Sequence, residues 1–276
     1  MNTQQNEQQY LAEYSLEHYE RPSITTDIAA FSLRTQKGSA YRASPELKLC
    51  VLLIRRGGHP YRDHWALPGG FLQPGETIDD CAFRELKEET NLSPVSMLWV
   101  DSFSQPGRDP RGWIISHAYA SVISEEDAKI ANNSDASDAQ WFEICFLPEA
   151  DNRYRLELRH RDILLTALLQ AIPSATQRTR FAILENSGLA FDHAAILAGA
   201  LEMLRREGQH IETVFAFLPE KFTLLALQKV QETLLGISLL TANFRRKIAD
   251  FVEETEEYTV GAGHRPARLF RKKCRK

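Results

Sequence analysis

Residues Gly70–Leu92 read GFLQPGETIDDCAFRELKEETNL, and the spacing of charge in this stretch decides what the first half of the chain builds. Glu76 follows Gly70 after five residues, and seven more lead to Arg84-Glu85-Leu86-Lys87-Glu88-Glu89-Thr90. Thr77 and Asp80 are placed to cap a helix running from about Thr77 to Asn91. On that helix Glu85, Glu88 and Glu89 stand at i, i+3 and i+4, so three carboxylates share one face. Ile78, Ala82 and Leu86 give the opposite side an apolar stripe that can pack on a sheet and hold the carboxylates rigid. Crowded carboxylates repel one another. An oxygen-seeking divalent cation, Mg2+ or Mn2+, relieves the repulsion and keeps positions open for water and phosphate oxygens. RELKEE alone has the composition of a solvated helix face. At average residue usage the seven fixed positions coincide by chance on the order of once in ten million start sites, which sets this stretch apart from such a face.

Working outward, the apolar run from Ile24 to Leu33 reads as a strand, and LKLCVLLI at Leu47–Ile54 as a strand buried on both faces. Further strands are predicted at Met97–Phe103 and Trp113–Ile123, with a short one around Trp141–Cys145. Strands and one helix mixed within about 150 residues describe an α/β (α+β) sandwich. Arg153–His160 alternates, Arg161–Ile172 reads as a helix and Arg180–Glu185 as a strand, yet the span 150–188 has no assigned role. Asp192 stands as the N-cap of a helix, His193–Arg206, that connects the two halves; His193 reads as a hydrogen-bonding residue at its start. Farther on, Thr223 caps a helix reaching about Leu235, Gly236 breaks it, and Thr241 caps a second through Phe251. Two short helices joined through a glycine form a helix-turn-helix candidate. Glu253–Val260 and Pro266–Lys272, joined through Gly261-Ala262-Gly263, would then form a wing.

The 276 residues, 43% hydrophobic and 25% charged, suit two folded domains. The net charge of -4 is unevenly placed: Thr241–Lys276 carries +5 and the remainder -9, which points to a polyanion partner at the C-terminal end. Cys50, Cys81, Cys145 and Cys274 form no C-x-x-C pair, which argues against a zinc module or a disulfide framework. No apolar run approaches membrane-spanning length, and the expectation is a cytoplasmic protein with no membrane partner.

The stretch at Gly70–Leu92 resembles the signature of the Nudix superfamily, hydrolases of nucleoside diphosphates linked to another group. The usual glycine near its end is replaced by Asn91, a residue that tolerates left-handed backbone. The resemblance implies a Nudix sandwich in which Glu88 and Glu89 are metal ligands and Glu85 a ligand or base. It makes Arg84 the partner that orients a carboxylate and the Gly70 carbonyl a further ligand, with Asp135 or Asp138 as an acid from a later loop. If catalytic, such a site activates water for attack on phosphorus. RPSITTDIAAF, VLLIRRGGHPYRDHWALPGGF and DPRGWIISHAYA resemble the branch that handles ADP-ribose. Arg55, Arg56 and Arg111 suit its phosphates and ribose, and Trp113 or Phe103 could stack its adenine. LAFDHAAIL, FTLLALQKVQETLLG, NFRRKI and RPARLFR resemble the Nudix-related transcriptional regulators of NAD metabolism, with a C-terminal winged helix-turn-helix domain. That likeness implies DNA contacts from Asn243, Arg245, Arg246 and Lys247 on the recognition helix, and from Arg265 and Arg268 on the wing.

The expected organisation is an extension over 1–20, a Nudix domain over 21–190, a connector helix over 191–210 and the winged domain over 211–276. Two functions follow from the resemblance. One is a dimeric repressor whose affinity for operator DNA near genes of NAD metabolism changes on binding ADP-ribose or a related nucleoside diphosphate derivative. The other is a metal-dependent ADP-ribose pyrophosphatase, making AMP and ribose 5-phosphate, with an accessory C-terminal domain; the intact acidic positions of the box leave hydrolysis open.

Overall fold

The computed structural model describes residues 3–15, 17, 19–36, 46–94, 96–124, 128, 139–174, 178–259 and 266–273. After helix α1 (Thr3–Glu13), the first half is organised by a ten-stranded mixed sheet. Its strands are β1 (Ser23–Gln36), β2 (Glu46–Arg55), β3 (Trp65–Ala66), β4 (Gly69–Phe71), β5 (Ser96–Phe103) and β6 (Ile114–Val122). They continue with β7 (Ala139–Pro148), β8 (Arg153–His160), β9 (Ile163–Ile172) and β10 (Arg180–Ser187). The main path runs β10-β9-β8-β7-β2-β1-β6-β5, with β3 added to β2 and β4 to β1. Only the β1–β6 pairing is parallel among the strands of this sheet.

Both faces of the central strands are covered, which is why β2 reads as an unbroken apolar run. On one face lies α2 (Ile78–Thr90), whose Ala82 and Leu86 pack with Ile28, Ala30, Leu52 and Tyr119. On the other lies α3 (His193–Glu207), where ten of the residues, from His193 to Leu204, are buried. The second core spreads from β1, β2 and β7–β10 through α3 into the C-terminal module without a break.

That module holds α4 (Ile211–Phe215), β11 (Lys221–Phe222), α5 (Leu224–Leu235), α6 (Thr241–Ile248), β12 (Val252–Tyr258) and β13 (Arg268–Lys272). Its three strands form a separate sheet in the order β11-β13-β12. Thr223 caps α5 by accepting the Ala226 N–H, and Gly236 ends it in the left-handed conformation that glycine adopts at little cost. Two helices, a turn and a β-hairpin make a winged helix, and Phe244 and Ile248 anchor α6 while Asn243, Arg245, Arg246 and Lys247 stay exposed.

Three sequence expectations are corrected. Residues 161–172, expected as a helix, form a turn at Arg161-Asp162 and then β9, where the burial of Leu165, Ala167 and Leu169 alternates with period two. The run ILLTALLQAI is apolar almost throughout, so its period is illegible until β8 and β10 flank it. Thr241 is the first residue of α6 and not its cap, a place taken by Leu240, and the helix stops at Ile248. The strand at Trp141–Cys145 is twice as long as expected, because it pairs with both β2 and β8.

Candidate functional site

Antiparallel pairing of β4 with β1 sets Gly69 opposite Asp27 and Gly70 opposite Thr26. A Cβ at Gly69 would stand 2.0 Å from the Thr26 carbonyl oxygen, and one at Gly70 would stand 2.3 Å from the Glu85 carboxyl. Gly69 is therefore needed for the close approach of two strands, whereas at Gly70 the missing Cβ leaves the Glu85 carboxyl its present place. The chain then enters α2 through a complete capping box, Thr77 with Asp80, and leaves it through Asn91 in the left-handed region.

On α2 the carboxylates gather around Arg84. Its guanidinium donates to Glu85 at 2.6 Å, to Glu88 at 3.1 Å, to Glu76 at 2.8 and 3.0 Å and to the Phe71 carbonyl at 3.2 Å. The Arg84 bond holds the Glu76 carboxyl down at about 2, helped by the Gln73 N–H. Glu89 turns the other way. It accepts the Gly69 N–H at 2.9 Å, and burial pushes its carboxyl up to about 7. Arg84 thus supplies the countercharge for Glu85 and Glu88. Among the described residues no three His, Cys, Asp or Glu side chains are gathered as a metal site.

Glu89 and Gly70 line a pocket of about 160 Å³ beside the box, and its other walls carry Arg56, Arg108 and Arg111. Arg111 pairs with Asp109 at 2.7 Å and lies 5.0 Å from the Phe71 ring and 5.4 Å from the Phe191 ring. Arg56 donates to the Pro60 carbonyl at 2.9 Å and sits 4.8 Å over Phe191. Burial, and then the like charge of Arg111, make the Arg56 proton easier to lose than usual. A phosphate oxygen between these guanidiniums would offset that repulsion.

The far wall comes from the segment between β10 and α3. Trp65 donates its N–H to Gly188, Ala190 returns one to Trp65, and Phe191 follows in the left-handed region with φ 49°. His193 is fully buried. Its Nδ1 accepts the Leu67 N–H at 2.9 Å, which leaves the ring proton on Nε2, 3.4 Å from Asp27 Oδ1. Burial lowers its pKa, so the ring is neutral. At the helix start His193 thus bonds across to Leu67, in the link between β3 and β4, and faces Asp27 of β1. Asp192, expected to cap α3, makes no capping bond and is held by Arg108 instead.

Of the residues expected to touch a ligand, Arg56 and Arg111 are brought together and three are not. Arg55 points out to an ion pair with Asp63 at 3.2 Å, its side chain half exposed. Phe103 lines a different cavity with Val100, Gly199 and Met203, and Trp113 is exposed outside the pocket lining. Alternation within a strand cannot say which end of the strand meets the pocket. Sequence reasoning missed Asp27, Arg108, Asp109 and Phe191. A buried aspartate in the apolar run SITTDIAAF was the available signal for the first. Asp135, Asp138 and Arg265 lie outside the described residues. In the winged module Arg268 is engaged with Glu254 and with Tyr258 Oη at 2.9 Å, and Arg246 with Asn243 at 2.6 Å.

Residues 39–165 match the NUDIX domain, and residues 214–271 match the NrtR DNA-binding winged helix domain. The ADPR responsive transcriptional repressor NtrR of Acinetobacter baylyi is 29% identical over 273 residues, which span 96% of this chain and 88% of the repressor. The crystal structure of Shewanella oneidensis NrtR complexed with a 27mer DNA is similar at a TM-score of 0.62 and 27% identity, over 91% of this chain and 93% of that one. A MutT/nudix family protein from Enterococcus faecalis gives 0.67 and 29%, over 99% of both chains. A Nudix sandwich joined through one buried helix to a winged helix defines a Nudix-related DNA-binding protein. The chain joins a Nudix domain to a winged-helix DNA-binding domain of the NrtR type. No described helix is long and apolar enough to cross a membrane.

Proposed function

We infer that the chain is a cytoplasmic, dimeric transcriptional repressor that binds ADP-ribose in the pocket beside the Nudix box and operator DNA through α6 and the wing. One observation carries this reading. Helix α3 begins at the pocket wall with His193 and ends at the winged module, where the Gly208 carbonyl accepts Gln231 Nε2 at 3.0 Å. Three arginines around a small cavity suit a pyrophosphate, and the exposed basic face of α6 suits a major groove. The test is an operator titration at fixed salt, using a duplex that the protein itself selects from random-sequence DNA, with and without ADP-ribose. Release of the duplex by ADP-ribose is the expected result; affinity that ignores the ligand would remove the regulatory reading.

A second activity rests on the acidic face of α2. Glu85, Glu88, Glu89 and the Gly70 carbonyl are all oxygen donors of the kind that Mg2+ or Mn2+ prefers, and the missing Cβ at Gly70 leaves room for the Glu85 carboxyl. Such an ion offsets charge on a bound pyrophosphate and makes water more acidic. If the box hydrolyses ADP-ribose, Glu88→Gln should lower metal-dependent AMP release by about a hundredfold or more while operator binding persists. No AMP from the unaltered protein with either ion would leave the box as a sensor alone.

A further inference from the structure

Helix α3 starts without the bond that the residue before it is suited to make. Asp192 precedes the first turn, where an aspartate ordinarily accepts a backbone N–H from that turn. Here its side chain makes no such bond. Both carboxylate oxygens go to Arg108 instead, Oδ2 accepting from Nε at 2.8 Å and Oδ1 from Nη2 at 2.6 Å. The same guanidinium stands 3.5 Å from Asp27 and its side chain is only 5% exposed. Asp27 has other partners, since Ser116 Oγ donates to it at 2.5 Å and His193 Nε2 is 3.4 Å away. Arg108 and Asp27 face the pocket; Asp192 stands behind them, outside its lining.

We propose that Arg108 is an exchange residue: a phosphate oxygen of the pocket ligand takes its guanidinium from Asp192, so that occupancy is read at the first turn of α3. This rests on the ADP-ribose reading above and names the residue that carries the signal. One edge of a guanidinium takes one doubly accepting anion at a time, and carboxylate and phosphate both present a pair of oxygens spaced for it. Asp192 is the partner that leaves, because Asp27 keeps Ser116 and His193. Once released, the Asp192 carboxylate can turn to the Ala194 N–H in the first turn of α3, whose neighbours His193 and Ala195 already donate to the Ala190 and Asp192 carbonyls, and a negative charge there is favoured by the helix dipole. The far end of α3 passes the change on. Gly208 is bonded to Gln231 of α5, and even a Cβ at Gly208 would stand 3.0 Å from Leu234 Cβ. No slack lies between α3 and the winged module at that junction.

Asp192→Asn separates exchange from mere support. Asparagine keeps the size and the capping ability of aspartate but gives up the charged pair. The exchange predicts that calorimetry on the full chain without DNA finds ADP-ribose bound more tightly to Asp192→Asn than to the unaltered protein, by about fivefold or more. Operator affinity without ligand should fall by a similar factor, and the remaining ligand effect should shrink. A supporting ion pair predicts the opposite sign, since a loosened pocket binds ligand less well. Asp192→Glu, which keeps the carboxylate, should return ligand affinity toward the parental value, and Arg108→Lys, which loses the fork, should weaken it. Melting curves identify a variant that has failed to fold, and Asp192→Glu and Arg108→Lys then carry the test. Ligand affinity of folded Asp192→Asn that equals or falls below the parental value overturns the exchange. An unaltered protein whose operator affinity ignores ADP-ribose overturns the regulatory reading instead, and the calorimetric comparison still decides whether Arg108 exchanges partners.

Discussion

Glu89 is the acid of the box whose behaviour differs most from its neighbours. Burial raises its carboxyl from 4.5 to about 7, whereas Glu76, bonded to Arg84, falls to about 2. A carboxyl raised in the folded state contributes stability below about 4.5, and that contribution is lost as pH climbs through 7. The difference corresponds to about 3 kcal/mol, so Glu89→Gln, which can still accept the Gly69 N–H, should unfold at higher temperature than the unaltered protein at pH 8. At pH 4 the two should melt alike. Equal melting at both pH values would mean that Glu89 is not protonated within the fold near neutrality. This inward turn was not legible in the sequence, where Glu85, Glu88 and Glu89 are three equivalent members of one helix face. What separates them is Gly69, brought against Asp27 by the β1–β4 register, a contact between residues 42 positions apart in the chain. The family signature singled out Arg84, and its guanidinium donates to Glu76, Glu85 and Glu88.

At the scale of elements, local chemistry was the readable part. Thr77 with Asp80, Asn91, Thr223 and Gly236 all end helices as their side chains or backbone freedom dictate. Thr77→Ala removes one such bond and should cost about 1 kcal/mol of stability, measurable by denaturant titration; no loss would mean that solvent replaces the cap. In α6 the burial of Phe244 and Ile248 leaves Arg245 free to reach outward. If Arg245 reads a base, Arg245→Ala should weaken the selected operator by roughly 1–3 kcal/mol and relax preference at that position. Arg268 pairs with Glu254 and Tyr258 on the wing. Its replacement by alanine should weaken all sequences alike and flatten the salt dependence if it touches phosphate. Binding unchanged in both variants would move the recognition surface elsewhere. Strand β9 was the least readable element. Its run is apolar almost throughout, no turn motif or clean alternation marks it, and its period shows only once it pairs with β8 and β10.

Over the whole molecule, the span 150–188, which the family pattern left without a role, supplies one wall around α3, with β1, β5, β6 and α5 forming others. Strands β8, β9 and β10 extend the sheet so that Leu156, Leu158, Leu165, Leu169 and Phe181 join the core that contains Ile196, Leu197, Leu201 and Leu204. Amides of α3 should therefore exchange with solvent only on global opening, later than those of α6, whose surface is mostly exposed. Faster exchange in α3 than in α6 would contradict this order. A helix walled in this way cannot answer a bound ligand by fraying or unwinding, because each of its turns is packed against another element. It can only slide or roll as a stiff rod inside a sleeve. Whatever fraction of an ångström the pocket imposes at Asp192 reaches Gly208 without being absorbed along the way, and the reach of the signal is set by the stiffness of the sleeve, not by the strength of any one bond along the rod.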